Sequence, residues 1–215
     1  MKFFLVLTYI QLCVSLHAQT KLTKCFTLNS EYIEIDTKEL DEIKILNSEN
    51  ATVEIDLLTE DSDLYCSIDE KTNDLLTVKF QKFQASNESG VFRKFITERI
   101  HRASLVIKIP KNKVVTILGT NVDVISESYQ GQLKIYIDKG YVNLNTIVSN
   151  VELSLFQGNI YGEISKATMD ITSTNGIIKV DEKLKDSPFK SEYIDSRKSF
   201  KVSTINANIF MTTNK

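Results

Sequence analysis

The sequence predicts an all-β fold whose second half is a β-solenoid of about five short rungs. Short segments alternate apolar and polar residues, a small residue recurs between paired segments, and a self-similar line recurs from Val114 onward. Composition agrees, because Ile, Val, Thr, Tyr and Phe are plentiful while the chain has no Trp and only 2 Pro. We therefore expect strands throughout and a repetitive architecture from residue 110.

Residues 1–18 are expected to be a removed signal peptide. Lys2 supplies the positive start, and the apolar stretch from Phe3 to Leu16 is too short to span a bilayer. Ala18 suits the position before cleavage, although Leu16 is larger than ideal, so the cleavage site is not defined to the residue. A short N-terminal membrane anchor is the alternative.

Lipidation at Cys13 is a further alternative, which Leu12 disfavours because the residue before a lipoprotein cysteine is normally small. No other segment is apolar enough to cross a membrane. The mature chain is therefore expected in the periplasm or outside the cell, with no stable membrane insertion.

Cleavage would leave two cysteines, Cys25 and Cys66, as a possible disulfide in an oxidising compartment. Two buried thiols in separate strands are the alternative. His101 would be the one remaining histidine. One histidine and two cysteines argue against a structural zinc site, and no metal or cofactor is expected.

Residues 19–109 are predicted to be an N-terminal β region that caps the solenoid. The segments FTLNSEYIEID, LLTVKF and ASLVIKI alternate but are less regular than the later lines. A cap is expected because the open end of a solenoid is an exposed edge that invites aggregation.

A basic segment within this region, residues 85–104, is a candidate interaction loop. Aromatic and aliphatic residues interleave with its cations, a pattern that could contact an anionic surface. A long hairpin loop or short helix that packs its Phe residues inward is the alternative. The candidate residues are Arg93, Lys94, Arg99 and Arg102.

Residues 110–215 contain five lines that align with one another. The first four line starts are spaced 19, 18 and 17 residues apart, and the fifth follows after 32 residues. Each line reads as strand, small corner residue, strand. The lines start at Val114, Leu133, Val151, Thr168 and Phe200, and the corner residues are Gly119, Gly140, Gly158, Gly176 and Ala207.

Alternation in these lines assigns faces. Leu133, Ile135 and Ile137 are expected to face a core that stacked rungs share. A β-sandwich or a meander of hairpins would use the same alternation, and the regular period and corner favour the solenoid. The residues expected to face outward include Lys134, Asp138, Asn143, Asn145, Glu152 and Asp170.

A charged insertion, residues 181–199, breaks the period between the fourth and fifth lines. It contains Pro188 and several Ser residues, and is interpreted as an excursion out of the solenoid wall. It could be a binding loop or a solvated surface loop.

The segment IPKNKVVTILGTNVDVISESYQGQLKIYIDKGYVNLNTIVSNVELSLFQGNIYGEISKATMDITSTNGIIKV resembles bacterial adhesin domains of the DUF4097 and head-GIN types, found in Bacteroidetes. The resemblance rests on the Ile109–Pro110 step and the corner at 172–176, and covers about residues 105–213. It implies a right-handed β-solenoid and no catalytic residues. Gln157–Gly158, 205–207 and the insertion depart from the family pattern.

Charge and motif content exclude several classes of function. A net charge of -2 offers no basic field for nucleic acid. The phosphate-binding, metalloprotease and serine-hydrolase motifs are absent, and the acidic residues are scattered. We expect a non-enzymatic, adhesin-like surface for an envelope protein or a glycan. The alternatives are a β-helix carbohydrate-active enzyme and a structural subunit of an envelope complex.

Overall fold

The computed structural model describes residues 20–71, 74–82, 103–193 and 196–214, and these form sixteen β-strands in one mixed sheet without a helix among them. The all-β prediction is confirmed. The strands are β1 Thr20–Thr27, β2 Tyr32–Asp36, β3 Glu42–Ser48, β4 Thr52–Thr59, β5 Leu64–Lys71, β6 Leu75–Lys82, β7 Ala103–Pro110, β8 Val114–Asn121, β9 Asp123–Ser126, β10 Gln132–Ile147, β11 Val151–Ile164, β12 Thr168–Ser173, β13 Ile178–Val180, β14 Lys183–Lys185, β15 Phe189–Ser191 and β16 Ser199–Thr213.

Parallel, in-register pairing stacks the repeated lines. Leu133 of β10 pairs with Val115 of β8 on one side and with Val151 of β11 on the other. All three side chains are buried, because a register without slip keeps like positions on one face. Each line bends at its corner, and the buried positions switch there between odd and even residue numbers, so that Ile137 and Val142 both reach the core.

The order of the lines in space differs from their order in the sequence. Phe200 of β16 pairs with Val151 of β11 and also with Met169 of β12. The fifth line therefore lies between the third and the fourth. β16, with 15 residues, is nearly as long as β11, with 14, and pairs along it. The fourth line is broken into the shorter strands β12 and β13, and it lies at the end of the stack.

The insertion at 181–199 is not an excursion out of the wall. β14 pairs antiparallel with β13, and β15 pairs antiparallel with β12. Both strands have 3 residues and lie along the last line, where they occupy the edge that this line would otherwise leave open.

The described N-terminal strands continue the ladder rather than only covering its end. β2 and β3 lie parallel to β8 and β9, and β6 and β7 form the next parallel layer. β5, β4 and β1 add antiparallel strands beyond them. The sheet is thus mixed rather than wholly parallel. Strands joined by a short connection, such as β5 and β6, pair antiparallel because parallel pairing needs a long crossover.

One apolar cluster runs through the whole stack. Ile45, Ile107 and Ile135 are among its fully buried members, from the N-terminal strands and from the repeats. Full burial of one such side chain contributes about 1.5–3 kcal/mol, so each added layer stabilises its neighbours. Because all layers share this core, the positions of their outward side chains relative to one another are fixed.

The predicted corner column needs one change. Gly140, Gly158, Gly176 and Ala207 stand at equivalent positions, but Gly119 pairs with Ile137 and does not belong to them. The first line instead places Val122 below Gly140. Gly119 has a separate steric reason, because a Cβ there would lie 2.1 Å from Thr37 Oγ1.

Candidate functional site

The basic segment predicted as an interaction loop, with Arg93, Lys94, Arg99 and Arg102, lies outside the described residues, as does the predicted signal peptide 1–18. The candidate sites described below lie on the strands. None of the described elements is a helix with the length and apolar character needed to cross a bilayer.

Cys25 and Cys66 lie on edge strands at the N-terminal end of the stack, and their sulfur atoms are not joined in the structure. Cys25 is exposed on β1, and Cys66 is buried on β5, where desolvation raises the pKa of its thiol. The Lys24 ammonium donates to the Cys66 carbonyl oxygen at 2.5 Å, so the two strands approach each other. The disulfide stays a prediction.

Three aromatic side chains form an aromatic strip on the outer face of the second strand halves: Tyr141 of β10, Tyr161 of β11 and Phe210 of β16. The ring centroids of Tyr141 and Tyr161 are 5.1 Å apart, and those of Tyr161 and Phe210 are 4.9 Å apart with an interplanar angle of 18°. Tyr161 and Phe210 are direct cross-strand partners, and Tyr141 lies diagonally to Tyr161.

The rings of the strip are offset rather than eclipsed. Atoms of stacked rings touch at about 3.5–4.0 Å, so a centroid separation of 4.9 Å between near-parallel rings requires a lateral shift. Each ring then leaves part of a face uncovered. At the far end of the strip, the Lys179 ammonium lies 5.9 Å from the Phe210 centroid, within cation–π range.

A groove of about 660 Å³, here called the outer groove, runs beside the strip. A β-bulge in β10 shapes one wall, where Asn145 adopts a left-handed φ of 46° and donates its N–H to Asn143 Oδ1 at 3.1 Å. Besides the strip residues Tyr161 and Phe210, its polar lining comprises Asn143, Asn145, Glu163, Lys179, Glu182 and Thr212.

Ion pairing holds the bulge wall in place. Asn145 Nδ2 donates to Glu127 Oε2 at 2.7 Å, and Glu127 Oε1 lies 2.8 Å from the Lys44 ammonium. The hydrogen bond from Lys44 keeps the pKa of Glu127 below its ordinary value. The ion pair between Lys44 and Glu127 therefore holds the Asn145 amide in position.

The far wall carries the carboxylates of Glu163 and Glu182 and the ammonium of Lys179. The Glu163 carboxylate accepts from Asn214 Nδ2 at 3.3 Å, and Glu182 is exposed beside Asp181. Asp181 accepts from the Thr213 hydroxyl and, at 2.7 Å, from the Thr213 N–H. The hydrogen bond from the Thr213 hydroxyl lowers the pKa of Asp181.

Amides nearer the corner are used within the protein. Asn208 Nδ2 donates to Asn159 Oδ1 at 3.0 Å, and Asn208 Oδ1 accepts the Ile177 N–H at 3.1 Å. Asp123 likewise accepts the Tyr141 N–H at 2.8 Å. These hydrogen bonds stabilise the corner. The outer groove is where other polar side chains lie next to aromatic rings.

A second groove, of about 480 Å³, lies at the N-terminal end between β1 and β5. Two of its polar side chains are already engaged, because the Lys24 ammonium donates to the Cys66 carbonyl oxygen and the Glu70 carboxylate accepts from Ser30 Oγ at 3.1 Å. Across the part of the chain that the structure describes, no three His, Cys, Asp or Glu side chains are grouped as metal ligands. The outer groove is the better candidate for ligand recognition.

Asn143 and Asn145, which the sequence predicts to face outward, both line the outer groove. The aromatic strip was not predicted. Tyr161 and Phe210 each stand three residues after their corner residue, a signal that aligning the third and fifth lines would have shown. Their contact depends on the fifth line lying next to the third.

The fold is similar to that of a putative cell adhesion protein from Clostridium sporogenes, with 12% identity, a TM-score of 0.58, and coverage of 92% of this chain and 100% of that chain. A putative adhesin from Bacteroides fragilis is 11% identical, with coverage of 92% and 98%, but its TM-score is 0.35. No protein-family model and no curated protein matches the chain. The first comparison shows a shared fold.

Proposed function

We propose that this chain is an exported, non-enzymatic, adhesin-like β-solenoid that presents a surface for a protein or glycan in the cell envelope. The outer groove with its aromatic strip is the observation that carries the proposal. The resemblance to DUF4097-type and head-GIN-type domains, and the fold shared with the clostridial protein, support the adhesin-like reading.

The stacked architecture supports a binding role because each layer adds one set of outward side chains to a continuous surface. Aromatic residues contribute large contact areas with little conformational entropy to lose, and they are enriched at recognition surfaces. Tyr141 is 38% exposed, which leaves apolar surface available for a partner.

A carbohydrate-active enzyme is a weaker candidate. Glycoside hydrolysis uses two carboxyl groups, one of which acts as an acid with its pKa raised by an apolar environment. Glu163 and Glu182, the carboxylates that line the outer groove, are both exposed, and Glu163 is hydrogen bonded to Asn214. Neither carboxylate therefore has the apolar environment that the acid of a glycosidase requires.

Export is part of the proposal, and it rests on the pattern of residues 1–18. The N-terminal sequence of the protein recovered from its native host tests it. A mature chain that begins close to Gln19 in the periplasmic or extracellular fraction is expected. An intact Met1 in the cytoplasmic fraction would overturn the localisation.

Binding of the labelled mature chain to a glycan array and to outer-membrane vesicles tests the proposed surface. Binding to one of these is expected to fall at least about tenfold in Tyr161→Ala and Phe210→Ala. Tyr32→Ala is the matched control, since Tyr32 is 46% exposed on β2, on the other half of the layers. Equal binding by all three variants and the native chain would contradict a role for the outer groove.

A further inference from the structure

We infer that the outer groove takes an uncharged oligosaccharide lying across β10, β11 and β16. This inference rests on the proposed function and names the ligand class for the same site. It is drawn from three properties of the groove: a lining that includes two rings of the aromatic strip, a mixture of donors and acceptors beside them, and a central strand, β11, that is paired on both sides.

The floor suits sugar rings. The aromatic strip crosses three strands, which at a strand spacing of about 4.8 Å makes it roughly 10 Å long. The offset between Tyr161 and Phe210 leaves part of each ring face uncovered, and C–H bonds of a pyranose pack well on such a face. A short oligosaccharide matches this length with its chain parallel to the stack.

The lining suits hydroxyl groups. Lys179 and Thr212 supply donors, and Glu163 and Glu182 supply acceptors, all beside the strip. A sugar hydroxyl both donates and accepts, so it can pair with either kind of group. Two carboxylates against one ammonium make the lining unfavourable for an anionic sugar, because desolvating like charges at close range costs binding free energy.

The backbone of this region excludes one common form of peptide recognition. β11 pairs along its length with β10 on one side and β16 on the other. Its amides and carbonyls are therefore committed, and an extended peptide could not add a strand here. Recognition must use side chains, as binding of a neutral glycan does.

Calorimetric titration of the full mature chain tests the inference. The ligands are mannotetraose, cellotetraose and xylotetraose as uncharged probes, with tetragalacturonate as the anionic counterpart. At least one uncharged probe is expected to bind, and Tyr161→Ala and Phe210→Ala are each expected to weaken it about tenfold or more. Tyr161→Phe keeps the ring stack and is expected to stay within about threefold of the native chain.

A double variant tests whether the two carboxylates disfavour an anionic sugar. The double variant Glu163→Gln and Glu182→Gln removes both carboxylates and keeps the shape of the groove. It is expected to bind tetragalacturonate at least about fivefold more tightly than the native chain does. Tyr32→Ala is expected to leave the binding of the uncharged probe and of tetragalacturonate unchanged. Circular dichroism of each variant checks that it is folded.

The outcomes separate the two proposals. Preferred binding of tetragalacturonate by the native chain would overturn the uncharged class and leave the proposed function intact. Failure of all four ligands, with vesicle binding that still depends on Tyr161 and Phe210, would overturn the glycan and indicate a protein partner. Failure of every ligand and of every strip-dependent interaction would overturn both.

Discussion

A Cβ atom on Gly158 would lie 1.9 Å from the carbonyl oxygen of Gly140 on the neighbouring strand. The two residues are cross-strand partners at the corner where each line bends, and both have positive φ, +156° at Gly140 and +150° at Gly158. Backbone therefore touches backbone at the bend. The corner is a point of close backbone approach, and the second strand halves, which carry the aromatic strip, continue from it.

Gly158→Ala is expected to destabilise the protein by about 3 kcal/mol, because the methyl group meets a rigid carbonyl and L residues rarely adopt this φ. The matched control is Gly162→Ala on the same strand. Its Cβ would come closest to the flexible ends of the Ile147 and Met211 side chains, at 3.2 and 3.3 Å, so a cost of about 1 kcal/mol or less is expected. Urea unfolding midpoints measure both, and equal shifts would contradict the corner argument.

The spatial order of the lines is testable by cross-linking. Ser154 and Ser203 are partners on adjacent parallel strands, and Thr172 is the partner of Ser203 on the far side. In a background with Cys25 and Cys66 replaced by Ser, the pair Ser154→Cys and Ser203→Cys is expected to oxidise to a disulfide.

The pair Ser154→Cys and Thr172→Cys is the control. Two strand spacings, about 9.6 Å, separate these positions, which is beyond the reach of a disulfide. Mass spectrometry without reductant distinguishes the two pairs. A disulfide in the second pair but not in the first would mean that the lines stack in sequence order.

The Lys44–Glu127 pair predicts a pH dependence of stability. The pKa of Glu127 is lowered in the folded state by its hydrogen bond with Lys44, so its contribution is present above the unfolded-state pKa and is lost as pH falls through the folded-state pKa. Both side chains are more than a third exposed, so the contribution is at most about 1 kcal/mol. Glu127→Gln is expected to be less stable than the native chain at neutral pH.

The difference between Glu127→Gln and the native chain should disappear well below the ordinary pKa of glutamate, because Glu127 is then protonated in the native chain as well. Urea unfolding at several pH values measures it. A stability difference that stays constant across this range would show that the substitution acts through packing and not through charge.

The two thiols are expected to differ in reactivity. Exposed Cys25 should react with iodoacetamide in the native protein, whereas Cys66 is buried, with its thiol pKa raised by desolvation, and should react only on unfolding. Peptide mass spectrometry after labelling measures each site. If neither cysteine reacts before reduction, and both react after it, they form the disulfide that the sequence predicts.

The local pattern of the chain was enough to predict the strands, their faces and the corners of every line but the first. Leu133, Ile135 and Ile137 are buried as alternation requires, because the side-chain period of a strand is two and one face must leave water. Gly140 and Gly158 were recognisable as corner residues because their lines share one spacing. These features depend on neighbours in the sequence, which the sequence displays directly.

The partners of each line were decided only by the tertiary structure. Val151, Phe200 and Met169 present similar apolar side chains, so the pattern alone does not say that Phe200 lies between the other two. Strand length and the covering of the last edge by β14 and β15 select that order, and both depend on the assembled stack. The aromatic strip follows from it, since Tyr161 meets Phe210 only when β16 is the neighbour of β11.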